Sequence, residues 1–162
     1  MKRIVTAFGS IIAFFIIACE DQIKNTSGEN SPEEYMVFGN FHGHCLPCEN
    51  TMYKVTRSEL TFDQMEQFPR LDYQFAKDGE KSQSDFNNSV QLLDLLPQTL
   101  KQTDKEVFGC PDCADQGGYY LEFVINGKVK KILLDSSDSD DQSQEVVNFK
   151  NAVASIIQVI KG

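Results

Sequence analysis

The chain has 162 residues, with 24 Asp and Glu against 15 Lys and Arg, for a formal charge of −9. That balance argues against a nucleic-acid partner or an anionic surface bound through a basic patch. The length is within the usual range for one domain, and a single core is expected.

Met1-Lys2-Arg3 gives a positive start, and Ile4 to Ala18 is a run of about fifteen mostly apolar residues. Such a run is short for a membrane span and suits the core of a signal peptide. Ile16-Ile17-Ala18-Cys19 resembles the bacterial lipoprotein box, in which the cysteine is acylated and becomes the new N-terminus. The resemblance implies removal of residues 1–18 and lipid attachment at Cys19, with the membrane as partner through acyl chains that each add about 0.8 kcal/mol per buried methylene. The alternative is an ordinary secretory signal that leaves Cys19 as a thiol. Loss of Lys2 and Arg3 takes the formal charge from −9 to −11. Glu20-Asp21 resembles the acidic tracts that sort lipoproteins of Bacteroidetes type to the cell surface. The expected location is the cell envelope, on the periplasmic face or the outer surface.

Residues 19–32 contain too few hydrophobes to order themselves and read as a tether, and residues 33–162 as a single domain. Tyr35 to Phe41 is mixed aromatic and β-branched, and Met52 to Arg57 with Glu59 to Phe62 alternates in period two, which predicts two or three short antiparallel strands with Cys45 and Cys48 in the loop between the first two. Ser84 is the expected N-cap of a helix whose Phe86, Val90, Leu93 and Leu96 share one face before Pro97 interrupts it. Gly118 to Ile125 and Lys128 to Asp135 flank Asn126-Gly127, the strongest hairpin signal in the chain. The acidic run Asp135 to Asp141 has the ligand type for calcium but lacks the glycine and the spacing of a calcium loop, so it reads as a solvated linker. Val146, Phe149, Val153, Ile156, Ile157 and Ile160 then form a helical stripe. The order of elements predicts an α+β fold, an antiparallel sheet of about four to six strands with helices on one face, the C-terminal helix included.

The chemistry-bearing residues are Cys45, Cys48, Cys110 and Cys113, in two Cys-x-x-Cys pairs. Zinc takes four soft ligands in a tetrahedron, and two such pairs are a strong zinc signal in reducing compartments. Here 61 residues separate Cys48 from Cys110, so a shared site needs the fold to bring distant loops together. His44 is an additional candidate ligand, and with His42 it also reads simply as a polar loop residue. A thiol–disulfide oxidoreductase is a further reading, weakened by strand-rich surroundings and by Asp112 and Asp115, which raise thiol pKa values. Structural disulfides suit an exported chain. Closing each pair locally is worth about 2 kcal/mol and cross-linking the pairs about 4 kcal/mol, so cross-linking is the more effective staple. Either way, the two loops are expected to be neighbours at one edge of the sheet.

Glycine, serine-nucleophile and zinc-protease motifs are absent from the sequence, so no catalytic residue is assigned and enzymatic activity is not the leading expectation. The lipoprotein start, Tyr53-Lys54-Val55, Leu95-Leu96-Pro97 and above all Cys110-Pro111-Asp112-Cys113-Ala114-Asp115-Gln116-Gly117-Gly118 resemble small lipoproteins of Bacteroidetes type that carry the same run. The resemblance implies a compartment and a domain, and no mechanism. The leading expectation is a lipid-anchored, non-enzymatic interaction or structural domain without a cofactor. Structural zinc on the four cysteines is the alternative.

Overall fold

The computed structural model describes residues 33–42, 50–65, 75, 81–111, 113 and 116–161. Expectations for the signal segment, Cys19, the tether, His44, Cys45 and Cys48 fall outside these residues.

Aromatic and β-branched residues, in β1 buried on both faces, drive the first half into a meander of β1 (Tyr35–Phe41), β2 (Asn50–Thr56) and β3 (Leu60–Met65). Three short helices follow, α1 (Gln83–Ser89), α2 (Gln91–Leu95) and α3 (Gln98–Gln102), then the two-residue strand β4 (Val107–Phe108). The hairpin of β5 (Gly118–Ile125) and β6 (Lys128–Asp135) and the long helix α4 (Gln144–Lys161) complete the order. Asn126 at φ 51° and Gly127 at φ 73° both take the left-handed conformation that a type I′ turn demands, which is why this dipeptide sets the hairpin register.

The six strands form one sheet in the order β3-β2-β1-β5-β6-β4. Five of them pair antiparallel, and β4 pairs in parallel with β6 at Leu133 and Leu134, so the sheet is mixed. The α+β class and the C-terminal helix stand as read from the sequence. The parallel edge arises because the chain returns from α3 through residues 103–106 and meets β6 running the same way.

The helices cover one face. Met36, Phe38, Tyr53, Val55, Leu121, Phe123, Ile132 and Leu134 from the strands meet Leu92, Leu93, Leu96, Leu100, Val146, Phe149, Val153, Ile157 and Ile160. Burying each such large side chain stabilises the fold by about 1.5–3 kcal/mol. The opposite face carries a smaller cluster of Val37, Phe41, Met52 and Tyr120, against which Phe75 packs.

The first helix differs from the sequence expectation in its cap. Ser82, and not Ser84, is the N-cap: its hydroxyl accepts from the Asp85 N–H while the Asp85 carboxylate accepts from the Ser82 N–H. This reciprocal pair satisfies two otherwise orphaned donors, and it needs the acid three residues after the cap. The helix also breaks at Val90, where a tight bond from Leu93 N–H to Val90 O separates α1 from α2. Among the described residues no helix is long and apolar enough to cross a membrane.

Candidate functional site

At one end of the sheet the last residue of β1 meets the first residue of β5, which follows the Cys110–Cys113 turn in the chain. Phe41 and Gly118 are register partners across β1 and β5. One residue upstream, Gly117 has φ +70°, and a Cβ there would lie 2.1 Å from the Phe41 carbonyl oxygen and 2.6 Å from His42 Nδ1. Only glycine permits that approach. His42 opens the 43–49 segment that holds His44, Cys45 and Cys48, whose placement lies outside the described residues.

Cys110 and Cys113 are joined by a disulfide, with their Cα atoms 5.5 Å apart. A backbone bond of 3.1 Å from Cys113 N–H to Cys110 O closes the same turn. This corrects the expectation of cross-linking between the two pairs: a tight turn already holds Cys110 and Cys113 within bonding range, so the local ring forms. Both residues are exposed. A four-residue ring restrains little unfolded chain, about 2 kcal/mol, so the turn's position on the domain must come from elsewhere.

It comes from the acidic loop. Asp135, at the end of β6, is 5% exposed and accepts from Cys110 N–H at 2.8 Å, Gln116 Nε2 at 2.9 Å and Ser137 N–H at 2.9 Å. Asp141 accepts from Gly109 N–H at 3.0 Å, from Lys105 Nζ at 2.6 Å and from Ser139 Oγ at 2.5 Å. The two carboxylates grip consecutive amides on the approach to the turn. The run from Asp135 to Asp141 is exposed over most of its length, as its composition suggests, but its two end carboxylates make it an ordered clamp. Buried Gln142 and Lys150 fix its far side.

The Gly109 amide, then Lys105 and Ser139, hold the Asp141 carboxyl well below the usual carboxylate range. A depressed folded-state pKa contributes stability that is present above the unfolded value, about 3.9, and is lost as pH falls through the folded value. Denaturation midpoints measured from pH 6 to pH 2 are thus expected to decline below about pH 4. Asp141→Asn should flatten part of that decline, and an unchanged profile would contradict the clamp.

Beside the turn lies a cleft of about 220 Å³, whose polar lining includes Asn40, His42, Gln116, Tyr119, Ser136 and Gln158. Burial raises the Tyr119 phenol, which stays protonated and able to donate. Among the described residues no group of three or more His, Cys, Asp or Glu side chains is placed to hold a metal ion.

A second polar constellation, on the sheet face away from the helices, was not visible in the sequence. Glu122 is 8% exposed and accepts from Tyr120 Oη at 2.7 Å and Tyr35 Oη at 3.0 Å, with Lys131 Nζ at 3.5 Å. Burial, reinforced by the Glu122 charge, pushes the Tyr35 phenol up to about 12. These groups satisfy one another and tie β1, β5 and β6 together.

No protein-family model matches the chain, and neither a curated protein nor a solved structure matches it.

Proposed function

We propose that the chain is a lipid-anchored protein of the cell envelope, held through Cys19, whose domain from residue 33 onward is a non-enzymatic interaction module. The observation that carries this reading is the Cys110–Cys113 disulfide in an exposed turn. Exposed disulfides persist in oxidising compartments, and the N-terminal signal would deliver the chain to one. Two chain features with separate origins thus support one location. The clamped turn and the neighbouring cleft at the sheet end supply a fixed surface of hydrogen-bonding groups suited to recognition.

Replacing Cys19 with Ser is expected to release the protein from the membrane fraction to the soluble fraction. Retention of the variant in the membrane would remove the lipid reading. Zinc on the cysteines is the competing reading, favoured by the convergence of Phe41 and Gly118 at one sheet end. A thiol count with zinc analysis on purified protein separates the two: no free thiols and no zinc supports disulfides, whereas about one zinc per chain, lost on Cys→Ser replacement, supports the metal. Catalytic turnover in an insulin-reduction assay would replace both with an oxidoreductase.

A further inference from the structure

The outer edge of the sheet on the β6 side is only partly closed. β4 covers Leu133 and Leu134 and no more of β6. In a two-residue hairpin, successive residues point their backbone groups alternately toward and away from the partner strand. Leu133 N–H donates outward, to Glu106 O at 2.7 Å, and this fixes the phase. Val129 and Lys131, four and two residues earlier, therefore also turn their N–H and C=O groups away from β5. Among the described residues no backbone bond closes on them.

The chain that could have covered this stretch stands off from it. Residues 103–106 diverge from residues 129–132 and leave a cavity of about 320 Å³ between them. Among the described residues, Val107 and Val129 are two of the four large hydrophobic side chains left exposed, and both lie on this edge. β6 carries Lys128, Lys130 and Lys131 and no acid before Asp135, in a chain of charge −9. Lys130 Nζ donates to Thr103 O and Lys131 pairs with Glu122, while Asp104 and Glu106 stand on the facing wall.

We propose that the β6 edge at Val129–Lys131 is a docking lane for an extended acidic segment of a partner protein, which adds to the sheet as a strand. Strand addition draws affinity from backbone bonds and specificity from alternate side chains. An apolar residue opposite Val129 covers its exposed side chain. Carboxylates one residue to either side meet Lys128 and, in place of Thr103 O, Lys130 on one face, and a carboxylate two residues away shares Lys131 with Glu122 on the other. Lysines on an edge also guard it against self-pairing. They oppose a second copy of this strand, where lysine would face lysine, and favour an acidic one. The inference rests on the reading of the domain as an interaction module and is independent of the lipid anchor.

The test uses the full chain in detergent and a fluorescein-labelled Glu-Glu-Val-Glu-Glu peptide, followed by fluorescence anisotropy. Saturable binding is expected, weakened several-fold by raising salt from 0.05 to 0.5 M. Methylating the peptide's central amide should weaken it at least tenfold, because that removes a donor to the lane while leaving every charge. Val129→Pro should do the same with the melting temperature nearly kept, since the lost N–H serves no bond to β5 and an edge tolerates proline. Absence of saturable binding overturns the proposal. So does binding that is indifferent to amide methylation, which would be charge attraction alone, or sedimentation showing that the edge is occupied by a second copy. Failure here with Cys19→Ser still releasing the protein would remove the lane and leave the anchored reading standing.

Discussion

Lys150→Met is expected to destabilise the domain by about 2–4 kcal/mol, read as a lower denaturant midpoint with an unchanged slope. Lys150 is 1% exposed although it lies within the apolar stripe of α4. Its ammonium donates to Ser137 O at 2.8 Å, Asp138 Oδ1 at 2.8 Å and Gln142 Oε1 at 2.7 Å. An ammonium has three donors, and all three are used. Methionine keeps the length and the packing of the stem, so the substitution isolates the head group. It leaves Gln142 Oε1 without its donor and takes from Ser137 O the shorter of two bonds, the other being from Gln142 Nε2 at 3.3 Å, at roughly 1–3 kcal/mol for a group that stays dry. Asp138 is different: its side chain is 70% exposed and returns to water when the lysine leaves. Asp138→Asn should therefore cost under about 1 kcal/mol. Equal costs for the two variants would show that the ion pair, and not the backbone capture, is the source of the effect.

The same residue shows why the sequence was legible in some places and silent in others. Period-two alternation marks β2 and β3, whereas the central strands β1 and β5 are buried on both faces and show as aromatic and β-branched runs. Asn126-Gly127 fixes a register, because few other dipeptides place two successive residues at positive φ. The helical stripe from Val146 to Ile160 is equally plain, and its period puts Lys150 on the buried face without naming the acceptors that a charge there requires. Its burial depends on acceptors supplied by residues 137–142, a pairing that no local pattern encodes. Composition made the acidic run look like solvated linker for a related reason. Asp135 and Asp141 act on amides 25 and 32 residues away, and only the folded sheet brings them there. A local signal did exist: Asp135 followed two residues later by Ser137 is an Asx-turn pattern, and Ser137 N–H does donate to Asp135 Oδ1. The Ser82–Asp85 box was likewise present in the sequence, but Ser84 next to Asp85 offered a competing cap. β4 and α3 are too short for either period to register.

Asp135→Ala should be about as costly as Lys150→Met, near 3 kcal/mol, and its damage should be centred on the Cys110 turn. The alanine removes acceptors for Cys110 N–H, Ser137 N–H and Gln116 Nε2 at a site only 5% exposed. Bonds to a charged acceptor are worth about 1.5–3 kcal/mol each, and partial entry of water at this exposed turn offsets some of the total. Asp135→Asn keeps one accepting oxygen and turns an NH₂ group toward a donor, so it should fall between the wild type and the alanine variant. Hydrogen exchange separates local from global loss, since the Cys110 and Ser137 amides should lose protection before the β5 and β6 ladder does. Coupling to the disulfide is the sharper measurement. If Asp135 positions a ring that is itself only locally restraining, breaking the ring with Cys110→Ser and Cys113→Ser should cost measurably less in the Asp135→Ala background. A coupling energy of at least about 0.5 kcal/mol is expected from a double-mutant cycle, and additivity within about 0.3 kcal/mol would mean that carboxylate and disulfide act independently. Coupling carries the stronger consequence for function, because the surface at the sheet end would then keep its shape only while the disulfide is formed and Asp135 holds it.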